Sequence, residues 1–271
     1  MLTLDLAVVT YGSEGIKRVE KLLLDPIPGV SYVVSWQDHK DCPLPQSIAN
    51  RSDVKVVRLE KKGISENRNN AMKHCMADIV LFVDDDMIYT PAGLKKIIET
   101  FEKHPDLDVG LFKVDFGNNK PYPAEEIGLK LPFPKNYWVS SVEIAYKNNR
   151  KGNLLCTPFL GIGSPLMGGG EDEFFVISCI KRNLQCRFFP LEIGSHPHSS
   201  TGDKVNDRLL RSVGFLTATV YPFTFGLRVL VNALRRSKTS GKNYLECLKP
   251  MMYGALMAKK NIREMDSCYK W

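Results

Sequence analysis

Short apolar runs alternate with segments of helical spacing along the first part of the chain. "LDLAVVT" precedes "IKRVEKLLL"; "SYVVSW" and "VKVVRL" precede "SENRNNAMKHCM"; "DIVLFV" precedes "PAGLKKIIETFEKH" and "DVGLFKV". Strands that alternate with helices predict parallel pairing through helical crossovers, and hence an open α/β sheet. Thr90 and Pro91 form an N-cap and first-turn pair for the helix after "DIVLFV", which leaves only a tight connection beyond Val83. From about residue 121 to 165 Pro, Gly and Asn are frequent around a β-like "YWVSSVEIAY", which predicts a less regular, partly antiparallel region. "GIGSPLMGGG" then leads into "EDEFFVISCIKRN", with helical spacing, and "QCRFFPLEI", a further strand. From Arg208 onward, "RLLRSVGFLTATVYPFTFGLRVLVNALRRSK" and "YLECLKPMMYGALMAKK" are apolar helical stretches edged with basic residues. The fold class expected is α/β, a mostly parallel sheet flanked by helices, with a small antiparallel portion and C-terminal helices.

Composition narrows the classes. With 271 residues, 44% of them hydrophobic, the chain can fill a substantial core, which argues against disorder. The net charge of +7 is compatible with nucleic acid, a membrane surface or phosphorylated metabolites and does not choose among them. Seven scattered cysteines without a CxxC pair suggest neither a disulfide framework nor a zinc module, and fit a reducing cytoplasm. "MLTLDLAVVTYG" reads as a first strand, with Asp5 inside its apolar run, rather than as a signal peptide. The uncharged stretch from Ser212 to Leu227 holds Pro222 and falls short of the roughly 20 apolar residues that a spanning helix needs.

Candidate chemistry concentrates in two acidic loops. "LFVDDDM", residues 81–87, sets three carboxylates behind a buried-strand pattern. In open α/β sheets ligands collect beyond the carboxyl ends of strands, where this loop falls. Three adjacent carboxylates repel unless water or a cation offsets them, and a divalent cation with oxygen ligands does so well. A solvated acidic turn is the plain alternative, but the rigid delivery of the acids to that edge favours a metal–diphosphate site. Upstream, Lys61, Lys62 and Arg68 bring positive charge to the same edge, with Arg68 in the first turns of a helix whose N-terminus also favours anions. The second loop, "GGGEDEFF", sets Glu171, Asp172 and Glu173 at a helix start, where acids are also common for the helix dipole alone.

The block "KKGISENRNNAMKHCMADIVLFVDDDM" resembles the segment in which family 2 glycosyltransferases of the GT-A fold carry a glycine, an Arg-Asn pair and a strand ending in an Asp-x-Asp motif. The resemblance covers about residues 3–202 and points to the bacterial surface-polysaccharide type. It implies an inverting enzyme that moves a sugar from a nucleoside-diphosphate donor, UDP by preference, to a hydroxyl of a glycan or lipid-linked acceptor. Asp84 would contact the donor's sugar or base, with Asp85 as the variable middle residue beside it. Asp86 would hold manganese or magnesium. Lys62 and Arg68 would serve the diphosphate, Thr10 and Tyr11 the nucleobase. The second strand departs from the family pattern: "SWQDHKD" offers only Asp38 and the adjacent Gln37 for the base. A Glu-Asp pair at this point in chain order implies Asp172 as general base on the acceptor hydroxyl, with Glu171 as second choice or as a group that binds acceptor hydroxyls. Glu173 points elsewhere, because consecutive helical residues lie about 100° apart. Phe174 and Phe175 read as core. A histidine after the "QCRFFPLEI" strand, His196 or else His198, would complete the metal or diphosphate site.

The division expected is a catalytic domain over residues 1–205 and a helical region over 206–271. That region either lies on an anionic membrane at the inner face of the cell, covers the sheet or forms a dimer contact. Two competing functions predict other features. A nucleotidyltransferase needs a glycine-rich basic phosphate loop after the first strand, of which "TYGSEGIKR" is a feeble version. A nucleic-acid-binding protein needs a clustered basic and aromatic face, whereas these lysines are dispersed and the acidic loops repel phosphate.

Overall fold

A computed structural model describes residues 1–40, 42–118, 120–148, 154–196 and 205–268, with side chains described as far as residue 260. The chain opens with β1 (Leu4–Tyr11), α1 (Gly12–Leu22), β2 (Val30–Gln37), α2 (Gln46–Ala49), β3 (Val54–Leu59), α3 (Ile64–His74) and β4 (Ile79–Asp84). There follow β5 (Ile88–Tyr89), α4 (Pro91–Lys103), β6 (Val109–Asp115), β7 (Ile127–Gly128), β8 (Ile144–Lys147), α5 (Glu171–Lys181) and β9 (Cys186–Ser195). Three helices close the described chain: α6 (Asp207–Val220), α7 (Phe225–Ser237) and α8 (Tyr244–Cys268). The strands form one sheet in the order β3-β2-β1-β4-β8-β6-β9-β5, with β7 on β9. Pairing is parallel among β1 to β4 and between β6 and β9, and antiparallel around β8, β5 and β7.

The continuous apolar runs of the central strands follow from burial on both faces. Along β1 and β4, Leu4, Leu6, Val8, Ile79, Leu81 and Val83 face one core, while Ala7, Val80 and Phe82 face the other. This is the period of two that a strand imposes on its side chains. The first core is closed by Ile16 and Val19 of α1 and by Leu94, Ile97, Ile98 and Phe101 of α4. Each of these α4 side chains contributes about 1.5–3 kcal/mol relative to exposure. The start of α4 is set as its sequence predicts, with the Thr90 hydroxyl accepting from the Gly93 N–H at 3.0 Å and Pro91 in the first turn. The second core is closed by Ala71 and Met72 of α3 and by Phe175, Val176 and Cys179 of α5.

A third apolar cluster joins α6, α7 and α8 to Phe174 and to Leu160 and Met167 of the glycine-rich loop. Both phenylalanines of "GGGEDEFF" are therefore core, on different clusters. The uncharged Ser212–Leu227 stretch is broken into α6 and α7 by a turn that holds Pro222. No helix among the described residues is long and apolar enough to cross a membrane.

The structure differs from the sequence expectation in the middle of the chain. Only the last three residues of "YWVSSVEIAY" are strand, the start of β8 (Ile144–Lys147); Ser141–Glu143 form a 3-10 turn. The cause is a reciprocal cap, in which Ser140 and Glu143 satisfy each other's backbone N–H groups. Glu143 is fully buried and also accepts from Lys120 and from the Tyr122 hydroxyl, the latter at 2.5 Å. The Lys120 ammonium lies 5.0–5.6 Å from the ring centres of Phe116, Tyr122, Tyr137 and Trp138, so the turn rests on a rigid buried ion pair boxed by aromatic rings.

Candidate active site

Because β1, β2 and β4 are parallel, their carboxyl ends meet at one edge: Val9 pairs with Asp84, and Tyr11 with Gln37. A cleft of about 580 Å³ opens there. The turn after β4 delivers three carboxylates to it, and they leave in three directions, each toward its own basic side chain. Asp84 Oδ1 accepts from Arg68 Nη2 at 3.4 Å. Asp85, 8% exposed, accepts from Arg18 Nε and Nη2 at 2.8 and 3.1 Å and from the Thr10 hydroxyl at 2.6 Å. Asp86 Oδ1 lies 3.2 Å from His196 Nε2. Burial pushes the Asp85 carboxyl up while Arg18 and Thr10 pull it back, and the hydrogen bond to His196 holds the Asp86 carboxyl below the usual range. Mutual repulsion in the triplet is thus offset by separation, by two guanidinium groups and by the hydrogen bond from His196.

His196 arrives at Asp86 through sheet pairing. Ser195 at the end of β9 pairs with Asp115 of β6 and with Ile88 of β5, the short strand that directly follows the acidic turn. The His196 N–H then donates to the Asp115 carbonyl at 2.7 Å, and its ring packs on Phe116. His198, the alternative ligand in the sequence reading, lies outside the described residues. The carboxylate oxygen suits manganese or magnesium, and the imidazole nitrogen beside it suits a transition metal such as manganese better than magnesium. Among the described residues no three His, Cys, Asp or Glu side chains converge as a ligand set. A divalent ion held by Asp86 and His196 would therefore complete its shell with phosphate oxygens and water, the usual manner of magnesium at phosphate sites.

Arg68 joins the two acidic loops. It is 3% exposed and reaches across the cleft floor. Nη1 donates to Glu171 at 3.1 Å and to Asp172 at 2.7 Å, and Nη2 to the Ser141 hydroxyl at 2.6 Å besides Asp84. Its Nε is buried without a partner. Burial opposes the guanidinium charge, but the carboxylates of Asp172, Asp84 and Glu171 outweigh it and raise the pKa. The sequence assigns Arg68 to the diphosphate; in the fold its fork is committed to protein carboxylates. Asp172, whose side chain is about one-fifth exposed, is pushed up to about 8, first by burial, with Arg68 opposing and Glu171 and Asp84 adding to it. Glu173, as its position on the helix predicts, takes no part in the Arg68 bridge; it lies in the field of Lys120.

Thr10, Tyr11, Lys62, Arg68, Asp84, Asp85, Asp86, Glu171, Asp172 and His196 all line this cleft. Asp38 does not; it stands at the rim, where its carboxylate bonds to the Tyr11 hydroxyl and raises that group's pKa. Gln37 lines the cleft and holds its wall: its Nε2 donates to the carbonyls of Lys61 and Gly63 at 2.5 and 3.1 Å. Opposite, the Ile64 N–H at the start of α3 donates to the Ile162 carbonyl at 2.9 Å. Gly63 and Gly163, where these two loops approach, are both at positive φ, and a Cβ on Gly163 would come within 2.9 Å of the Gly63 Cα.

Three residues of the site carried no sequence signal. Arg18 sits on α1 among ordinary solvated lysines, Ser141 lies in what reads as a strand, and Asn67 precedes the Arg-Asn pair without belonging to it. Asn67 Nδ2 donates to the Thr10 carbonyl at 3.1 Å, while its buried Oδ1 has no partner and lines the cleft.

Residues 43–162 match the sequence model of Glycosyl transferase family 2, a stretch that holds Arg68 and all three aspartates. Crystal structures of S. aureus TarS 1-349 share the fold. One has a TM-score of 0.57 at 17% identity and covers 97% of this chain and 92% of that one. Another, in complex with UDP-GlcNAc, has a TM-score of 0.58 at 19% identity over 90% of this chain and 75% of that one. A third, in complex with UDP, has a TM-score of 0.57 at 20% identity over 90% and 74%. No curated protein matches the sequence at a significant level. The fold is of the GT-A type that the TarS structures share. Over residues 43–162 the chain is similar in sequence to glycosyl transferase family 2.

Proposed function

We propose that the protein is an inverting glycosyltransferase that takes a sugar from a nucleoside-diphosphate donor, UDP-linked by preference, and passes it to a hydroxyl of a glycan or lipid-linked acceptor presented at the inner face of a membrane. Residues 1–205 are the catalytic unit in this reading, and 206–271 the helical region that places it. The TarS complexes with UDP and UDP-GlcNAc support the donor class. The single observation that carries the reading is the Arg68 bridge, which holds Asp84 of the first acidic loop and Asp172 of the second in one cleft.

Tyr11 stands 53% exposed at the cleft mouth beside Asp38, where its ring offers a face to a nucleobase. Asp84 faces the donor's ribose or sugar. Lys62, exposed at the α3 end of the cleft, supplies positive charge to the diphosphate. Asp86 and His196 would hold manganese or magnesium, which when bound supplies neutralising charge to the departing diphosphate. Asp172 takes the proton from the acceptor hydroxyl as its oxygen bonds to the anomeric carbon. The bond from that carbon to the diphosphate oxygen breaks on the opposite face, so nucleoside diphosphate leaves and configuration inverts. Glu171, more deeply buried against Arg68, keeps the guanidinium and Asp172 in place.

The test is titration calorimetry with UDP, GDP and dTDP sugars, with and without manganese, on the protein and on Asp86→Ala. We expect UDP-sugar binding that manganese strengthens, and loss of the manganese effect in the variant. A variant with undiminished metal-dependent affinity removes Asp86 from the site, and a protein that binds no nucleotide sugar under any condition overturns the function.

A further inference from the structure

Helix α7 turns apolar side chains in two opposite directions. Toward the molecule, Val229 and Ala233 are fully buried in the cluster shared with α6 and α8. Away from it, Leu227, Leu230, Val231 and Leu234 are 69%, 40%, 42% and 50% exposed. Their spacing of i, i+3, i+4 and i+7 aligns them as one stripe on the side opposite the core. Phe223, 98% exposed, stands just ahead of the helix. An outward stripe of this size on a helix already anchored by its inner face marks an interaction surface.

The charge around the stripe has one sign. From Arg208 to Leu245 the chain holds seven Lys or Arg residues and neither Asp nor Glu. Lys242 is paired with Asp207 at 3.1 Å, but Arg228, Arg235, Arg236 and Lys238 are exposed and have no acidic partner among the described residues. Arg228 lies over the Tyr221 ring at 3.5 Å and Lys259 over the Phe225 ring at 4.7 Å, which puts two cations at the start of the stripe. Two copies meeting through this face would set these cations against each other, and an uncharged partner would leave them without complement. A lipid surface bearing phosphates satisfies both the apolar stripe and its basic border.

We propose that the outer face of α7 docks on an anionic membrane, with Phe223 and the leucine stripe entering the boundary between headgroups and acyl chains and Arg228, Arg235 and Lys238 meeting lipid phosphates. This gives a surface to the membrane placement of the preceding section and rests on it for purpose, whereas the binding itself is independent of donor chemistry.

The test is co-sedimentation of the full chain with vesicles of phosphatidylcholine alone or mixed with phosphatidylglycerol. We expect binding to the mixed vesicles only, weakening as salt screens the cations. Leu227→Asp combined with Leu234→Asp changes exposed positions, so the melting temperature should hold while vesicle binding falls at least about tenfold. Arg228→Glu with Arg235→Glu should lower binding to mixed vesicles by about tenfold or more. UDP-sugar affinity, measured on the same preparations, should be unchanged in both, so failure of the donor reading and failure of this one are distinguishable. The proposal is overturned if the protein ignores anionic vesicles, if the leucine variant binds as the parent does, or if the parent self-associates in sedimentation equilibrium, the leucine variant does not, and neither binds vesicles.

Discussion

Replacing Arg68 with methionine would leave Asp84, Glu171 and Asp172 facing one another without the cation they share. Removing one partner from a largely buried charge network costs about 3 kcal/mol, so Arg68→Met should lower the urea midpoint by a corresponding amount, and Arg68→Lys should recover little because a single ammonium cannot span both loops. The same environment sets the pH dependence. Burial and the neighbouring acids push Asp172 up to about 8. A base acts only when deprotonated, so kcat/KM should climb with pH well past the ordinary carboxylate range and level off only near that value. In Asp172→Asn this rise should vanish and turnover should fall by about 10² to 10⁴, with UDP-sugar affinity retained in calorimetry.

At the scale of elements, two kinds of fit hold the molecule together. The sheet side depends on period-two strands between amphipathic helices, and tolerates side chains of any matching size. The α6–α8 contact depends instead on glycine: a Cβ at Gly214 would collide with the Met251 carbonyl, and one at Gly254 with the Arg211 carbonyl. Gly254→Val should therefore destabilise the protein by about 1–3 kcal/mol in urea denaturation. Donor affinity under native conditions should be unchanged, because no residue that lines the cleft belongs to α6 or α8.

For the molecule as a whole, the buried acids of α5 set the stability profile. Burial raises Glu173 to about 7, against the pull of Lys120. A carboxyl whose folded pKa exceeds its unfolded value of about 4.3 holds a proton that the unfolded chain releases; its stabilising contribution is complete below about 4.3 and is lost as pH rises through the folded value. Asp172 acts in the same sense. The melting temperature should therefore fall between about pH 5 and about pH 8, and Glu173→Gln should make that fall shallower in scanning calorimetry. The net charge of +7 adds a long-range attraction for an anionic donor that salt will weaken.

How much of this was legible before folding differs by feature. Strand and helix order, the N-cap at Thr90, the core role of Phe174 and Phe175 and the delivery of Asp84–Asp86 to a strand end all follow from local periodicity and residue chemistry, which act within a few positions of the chain. The short strand β5 and the 3-10 turn at Ser141 escaped, because pairing with β9 and the buried Lys120–Glu143 pair create them rather than any local pattern. The partners of the acids escaped for the same reason: Arg68 lies 104 residues from Asp172, and Arg18 lies 67 from Asp85. By itself the sequence determined which elements form and which groups are chemically able to act. Only the tertiary structure decided which carboxylate meets which cation, because Coulomb attraction depends on distance in space, and the sheet order sets that distance.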